Sequence, residues 1–268
     1  MTDPINNLAP GQRLVFVGGL HRSGTTPLTR ALAAHRQVSG FSGTGVEEDE
    51  GQHLQDVMPT GERFGGPGRF ALDPASALTE RSPLATPESA ARLFSDWSKY
   101  WDLDRPVLVE KSPPNLIRMR FLQSLFPDAS FIVIMRHPVI VSLSTKKWAP
   151  RRTYRSVFEN WFRAHETMSD DAVAIDRLQV VKYEDLVARP AEVLATVREF
   201  LTLDGDIDTD IVQAGRSSAY EGTWSSWAES SNPIIRRRYR RLHREFGVRA
   251  LRFGYRLDDL DHIAPPTL

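Results

Sequence analysis

The chain has 268 residues, 41% hydrophobic and 25% charged, which excludes wholesale disorder and leaves room for one large α/β domain. Lysine plus arginine and aspartate plus glutamate balance at 34 each, so no global field directs the protein to nucleic acid or a membrane. Cysteine is absent, which removes disulfide, thiolate and cysteine-based metal chemistry.

The start, MTDPINNLAPGQR, lacks the apolar core of a signal peptide, and no apolar run of about 18 residues follows. The expectation is a cytoplasmic protein with no transmembrane segment. Residues 14–19, LVFVGG, predict a buried parallel strand closed by glycines. After the loop HRSGTT (21–26), Pro27 suits the first turn of a helix, and Leu28, Ala31 and Leu32 form its stripe. Residues 58–90 are rich in proline and glycine with no sustained period, the pattern of a functional lid over a substrate. VLVE (107–110) and FIVIM (131–135) predict further strands. Between them, NLIRMRFLQSLF (115–126) predicts a helix through Leu116, Met119, Leu122, Gln123 and Phe126. Helical spacing returns over 154–168, LQVVKY (178–183) predicts a fourth strand, and PAEVLATVREFL (190–201) a helix opened by Pro190. Strand–helix alternation implies right-handed parallel crossovers. The fold expected is a single α/β domain over 1–268, a three-layer P-loop-type fold with a central parallel sheet flanked by helices.

Gly19, Gly24 and Thr26 fall where the phosphate-loop pattern G-x-x-x-x-G-K-[ST] wants them, but Thr25 stands in place of the lysine. Ser23, Gly24, Thr25 and Thr26 still offer backbone N–H groups and hydroxyls at a helix N-terminus, and Arg22 supplies a positive charge just ahead of them. ATP and GTP enzymes need the lysine and magnesium. The plainer reading is a tight turn that binds nothing.

HRSGTT resembles the 5′-phosphosulfate loop of sulfotransferases that use 3′-phosphoadenosine-5′-phosphosulfate (PAPS). Three further segments follow in that family's order. Lys111 in VEKSPPN resembles its strand-end lysine near the transferred sulfuryl group. Arg136 and Ser144 in FPDASFIVIMRHPVIVSLS resemble its 3′-phosphate site, and Tyr183 in VVKYEDLVARP its adenosine-side tyrosine. Pro27, where cytosolic arylsulfotransferases carry tryptophan, places the resemblance closer to tyrosylprotein-like and bacterial members. The resemblance implies PAPS as co-substrate, adenosine 3′,5′-bisphosphate as product and no metal. It also accounts for the missing lysine: PAPS has no β/γ-phosphates, and its 3′-phosphate, absent from ATP, suits the guanidinium fork of Arg136. Lys111 is the residue expected to offset charge on the leaving group, with Arg22 and Thr26 assisting.

The acceptor hydroxyl needs a base, a role the family gives to glutamate or histidine. GTGVEEDEGQHLQ offers Glu50, His53 and Glu47. If the stretch is helical, Glu50 and His53 share a face; the spacing of the family's glutamate suits Glu50 or Glu47. A solvated acidic patch is the plainer account of this run. Arg236, Arg237, Arg238, Arg240, Arg241 and Arg244 cover most of a helix circumference: a solvated face, an anionic-surface contact, or a source of one or two residues for the 3′-phosphate. Trp224 and Trp227 read as core, with a ring-stacking wall as the alternative. The functional expectation is sulfuryl transfer to a small-molecule or glycan hydroxyl. A P-loop nucleotide kinase with a degenerate loop and a non-catalytic adenosine-bisphosphate-binding module are the rivals.

Overall fold

The apolar run after Gln12 forms β1 (Arg13–Gly18), the middle strand of an all-parallel sheet. The computed structural model describes residues 11–212 and 218–267. The sheet continues with β2 (Val38–Gly40), β3 (Val107–Lys111), β4 (Ser130–Met135) and β5 (Leu178–Lys182), in the order β2-β3-β1-β4-β5. Between and after the strands run α1 (Thr25–Ala33), α2 (Pro87–Trp97), α3 (Met119–Leu125), α4 (Pro138–Trp148), α5 (Tyr154–Ala172), α6 (Tyr183–Ala188), α7 (Pro190–Leu201), α8 (Ser218–Ala228) and α9 (Pro233–Arg252). Proline opens α2, α4, α7 and α9, where its missing N–H costs nothing. Thr86, Thr153 and Asn232 cap α2, α5 and α9 by accepting backbone N–H groups.

Strand alternation gives the sheet two apolar faces, hence three layers. Val15, Val17, Val109, Ile132 and Ile134 meet α1, α6 and α7. Leu14, Phe16, Leu108, Phe131 and Val133 belong to a larger core with α2 to α5, α8 and α9. The register sets Val17 beside Lys111 and Ile132, and Met135 beside Lys182. Lys111, Arg136 and Tyr183 therefore emerge along one C-terminal edge, where ligands bind in open parallel sheets.

Two expectations about local structure change. The helix expected over 115–126 is broken: Pro113–Ile117 is a 3-10 turn and α3 begins at Met119. Arg118, at the break, is buried and donates from Nε to the carbonyl of Ser76 at 3.0 Å. Residues 58–90 fold as short 3-10 turns running into α2, and Glu62 and Pro67 of this stretch line a large cavity. Met58 and Phe70 sit in the core, and the Ala71 N–H donates to Asn160 Oδ1 of α5. Residues 47–53 form two 3-10 turns in place of a helix.

Trp224 and Trp227 are buried, and Trp224 Nε1 donates to the carbonyl of Leu257 at 2.7 Å, so both belong to the core. α9 is anchored by Phe246, stacked 5.1 Å from Phe162 and 5.5 Å from Phe158. Phe246→Ala is expected to lower the unfolding free energy by about 3–5 kcal/mol, the range for truncating a buried phenylalanine. Urea titration measures this, and a loss below about 1 kcal/mol would contradict the packing described.

Candidate active site

The loop after β1 is shaped by two unusual backbone positions. Gly24 has φ +98°, and a Cβ there would run into the Tyr183 ring, so glycine lets the loop rest on that ring. Arg22 has φ +73°, a left-handed conformation that non-glycine residues adopt at a cost. Its surroundings hold it there. The Arg22 carbonyl accepts from Arg136 Nη1 at 2.9 Å, its Nε donates to Ser144 Oγ at 2.9 Å, and its guanidinium lies 4.5 Å over Trp148. Arg136 lies 4.0 Å over the Tyr183 ring.

Arg22, Arg136, Ser144 and Tyr183 thus meet beside the loop, on the wall of a cavity of about 820 Å³. Among the described residues no carboxylate pairs with Arg22. The two guanidiniums repel each other, and a bound anion relieves that cost. Ser23 Oγ is buried without a hydrogen-bond partner among the described residues, and Ser23 does not itself line the cavity. The chemistry of this donor set fits a nucleotide carrying more than one phosphate. Arg22 differs from expectation in one respect: its side chain turns to Ser144 and Trp148, so its charge lies with Arg136.

Thr25, Thr26, Glu47, Glu50 and His53 line the same cavity. Glu50 is buried; Lys111 Nζ is 3.4 Å from its Oε1, Gln52 Nε2 donates to its Oε2 at 2.6 Å, and His53 Nε2 is 3.9 Å from Oε2. Burial pushes the Glu50 carboxyl up, against the pull of Lys111 and Gln52. Lys111 is also buried, behind the 47–53 segment, and donates to the Glu48 carbonyl at 2.7 Å. The Glu48 carboxylate reaches the loop and accepts from Thr26 Oγ1 at 3.0 Å.

A second buried carboxylate, which no motif in the sequence singles out, lies at the end of β3. Glu110 is fully buried and accepts from Ser112 Oγ at 2.6 Å and from Asn115 Nδ2 at 2.5 Å. Ser112 Oγ in turn accepts from the Gln52 N–H at 2.8 Å. Gly51 lies against the Glu110 carboxylate so closely that a Cβ would overlap it. A relay thus runs from Asn115 through Glu110, Ser112 and Gln52 to Glu50. His21 was passed over too. It lines the cavity edge-on to Phe70, its Nδ1 is buried without a partner among the described residues, and burial pushes its pKa down to about 4. Its place beside Arg22 in the loop was the available signal.

Residues 15–207 match the profile of the sulfotransferase family, most of the chain. The chain belongs to the sulfotransferase family. It is 29% identical to protein-tyrosine sulfotransferase 1 of Danio rerio over 199 residues, covering 71% of this chain and 53% of that protein. It is 27% identical to protein-tyrosine sulfotransferase 2 of Gallus gallus over 198 residues, covering 70% and 50%. The chain thus spans about half the length of the curated relatives it matches. The sulfotransferase domain of the Synechococcus PCC 7002 olefin synthase superposes with a TM-score of 0.51 at 21% identity, over 80% of this chain and 82% of that one, and shares the fold.

As a sulfotransferase-family chain it carries, in Glu110, a titratable group beneath its site. Burial pushes that carboxyl from 4.5 up to about 7. Between those values the folded chain holds a proton that the unfolded chain has lost, so this group's contribution to stability falls as pH rises. One proton corresponds to about 1.4 kcal/mol per pH unit. The stability of wild type relative to Glu110→Gln is expected to fall by that order between about pH 5 and pH 6 in urea titrations; a flat difference would mean that Glu110 ionises normally.

Proposed function

We propose that this chain transfers the sulfuryl group of PAPS to a hydroxyl of a sugar or hydroxylated natural product, by in-line displacement. The observation that carries the reading is the shared cavity: Arg22, Arg136 and Ser144 on one wall and Glu50 on another, with Lys111, which does not itself line the cavity, bonded behind Glu50. When bound, PAPS supplies the sulfuryl group and leaves as adenosine 3′,5′-bisphosphate.

The remaining roles belong to the chain. Arg136, Ser144 and Arg22 hold the 3′-phosphate, and Tyr183 packs beside the adenosine. The Ser23 N–H donates to the Leu20 carbonyl at 2.9 Å and closes the turn. After it, the backbone of Gly24, Thr25 and Thr26 receives the 5′-phosphosulfate through its N–H groups at the N-terminus of α1. The Thr26 hydroxyl is released from Glu48 as it does so. Glu50 takes the proton of the acceptor hydroxyl. Its burial favours the protonated form, which makes it a stronger base than an exposed carboxylate. His53 and Gln52 orient it through Oε2. Lys111 steadies Glu50 in the resting site and offsets charge on the departing oxygen. Glu50 is preferred to Glu47 because it alone of the two is buried and contacts Lys111.

Nucleotide choice separates this reading from a degenerate kinase. Adenosine 3′,5′-bisphosphate is expected to raise the melting temperature without magnesium, and ATP far less, because only the former carries the 3′-phosphate. Arg136→Ala should weaken that binding by roughly 1.5–3 kcal/mol, the scale of a hydrogen bond to a charged group. Equal stabilisation by the two nucleotides would sink the assignment.

Turnover separates it from a non-catalytic binding module. With labelled PAPS and a panel of hydroxylated acceptors, Glu50→Gln is expected to cut the rate roughly 10²–10⁴-fold while nucleotide binding persists. Lys111→Ala should lower kcat much more than donor affinity. An inactive His53→Asn beside an active Glu50→Gln would assign the base to the imidazole.

A further inference from the structure

α9 divides its arginines into two populations. Arg249 pairs with Glu159 and Glu166, both at 2.8 Å; Arg252 donates to Ser169; Arg238 lies over the rings of Tyr154 and Trp227. Arg236, Arg237, Arg240, Arg241 and Arg244 are exposed along one surface depression, and their side chains have no ion pair or hydrogen bond among the described residues. Several of these five stand three or four residues apart, where like charges on a helix repel. In a chain whose formal charges sum to zero, this concentration is local and uncompensated.

The helix period shows what shares the face. Leu242, Phe246 and Ala250 form the buried stripe. Opposite them, Arg237, Arg241, Arg244, Val248 and Leu251 fall at successive steps of four, three, four and three residues, one outward row about 21 Å long. Val248 is 80% exposed and Leu251 54%. The row is thus cationic along one part and apolar at its end.

We propose that the outward face of α9 docks on an anionic phospholipid surface. Arg237, Arg241 and Arg244 meet the lipid phosphates, and Val248 and Leu251 enter the headgroup boundary. Guanidinium forks suit phosphate oxygens, and a helix that lies in an interface combines cations with apolar side chains in this way. A nucleic-acid backbone has no use for the apolar end. Tyr239, the aromatic residue of this part of α9, is turned inward against Trp224 and cannot stack on bases. An acidic peptide seated in the arginine-lined depression would leave Val248 and Leu251, which lie outside it, uncovered.

Co-sedimentation of the full chain with vesicles tests the proposal. On vesicles of about two parts phosphatidylcholine to one part phosphatidylglycerol, the bound fraction should exceed that on pure phosphatidylcholine at least about tenfold and fall as salt is raised. Replacing Arg237, Arg241 and Arg244 together with Gln should abolish the difference while the melting temperature stays near wild type. Val248→Ser combined with Leu251→Ser should remove the binding that survives at higher salt. Equal binding to both vesicles, undiminished binding by the triple variant, or displacement from the vesicles by duplex DNA or polyglutamate at matched charge would overturn it. The wild-type comparison between the two vesicles decides even if a variant folds poorly.

Discussion

Two opposite charges buried 3.4 Å apart, Lys111 and Glu50, set the terms for everything around them. Taking either out of water alone costs several kcal/mol, and the pair is tolerated only where further hydrogen bonds complete it. The surroundings supply them. Lys111 also holds the Glu48 carbonyl, Gln52 and His53 attend the other oxygen of Glu50, and Trp97 Nε1 donates to the Gly51 carbonyl at 2.9 Å. The segment from Glu47 to His53 is therefore shaped by its partners on β3 and α2 more than by its own helical tendency. Glu48 and Asp49 both stand in left-handed conformations, φ +52° and +50°, and Asp49 is tied back to the Thr44 N–H and hydroxyl.

That contest explains where sequence reasoning worked. The segment from β1 through the loop to α1 was legible because each level agreed: an apolar run buried on both sides, glycines where backbone must approach, and a helical stripe after Pro27. Arg136 and Ser144 were singled out by the family resemblance and not by any local period; both bond to Arg22, Arg136 from just past the end of β4 and Ser144 from within α4. The burial of Lys111 behind Glu48 was not legible. It depends on contacts across 61 to 63 positions of chain, and no local period records them. β2 was missed for another reason, since three residues cannot display an alternation. The six-arginine run read as a charged circumference, while Leu242, Phe246 and Ala250 give α9 a definite inside.

The cavity wall that carries Arg136 and Tyr183 draws support from beyond the segment that matches the family profile. His137 follows Arg136, and its neutral imidazole accepts the Val139 N–H on Nδ1 and donates from Nε2 to the Arg256 carbonyl at 3.0 Å. Burial pushes its pKa down to about 3, so this arrangement persists across ordinary pH. Glu184 accepts both the His137 N–H and the Tyr255 hydroxyl, and Lys182 donates to the carbonyls of Phe253 and Gly254. Residues 253–256 thus buttress the strand ends that present Arg136 and Tyr183.

The strand order also carries a consequence in time. β1 and its loop are translated before the strands they pair with: β1 bonds to β3 and β4, so the central strand waits until residues 107–111 and then 130–133 have left the ribosome. Pairings over such separations close slowly, because the intervening chain must be ordered before the contact repays it. The carbonyl that receives the His137 proton is made more than a hundred residues later still. The loop after β1 therefore precedes in synthesis the residues 253–256 that buttress the strand ends beside it.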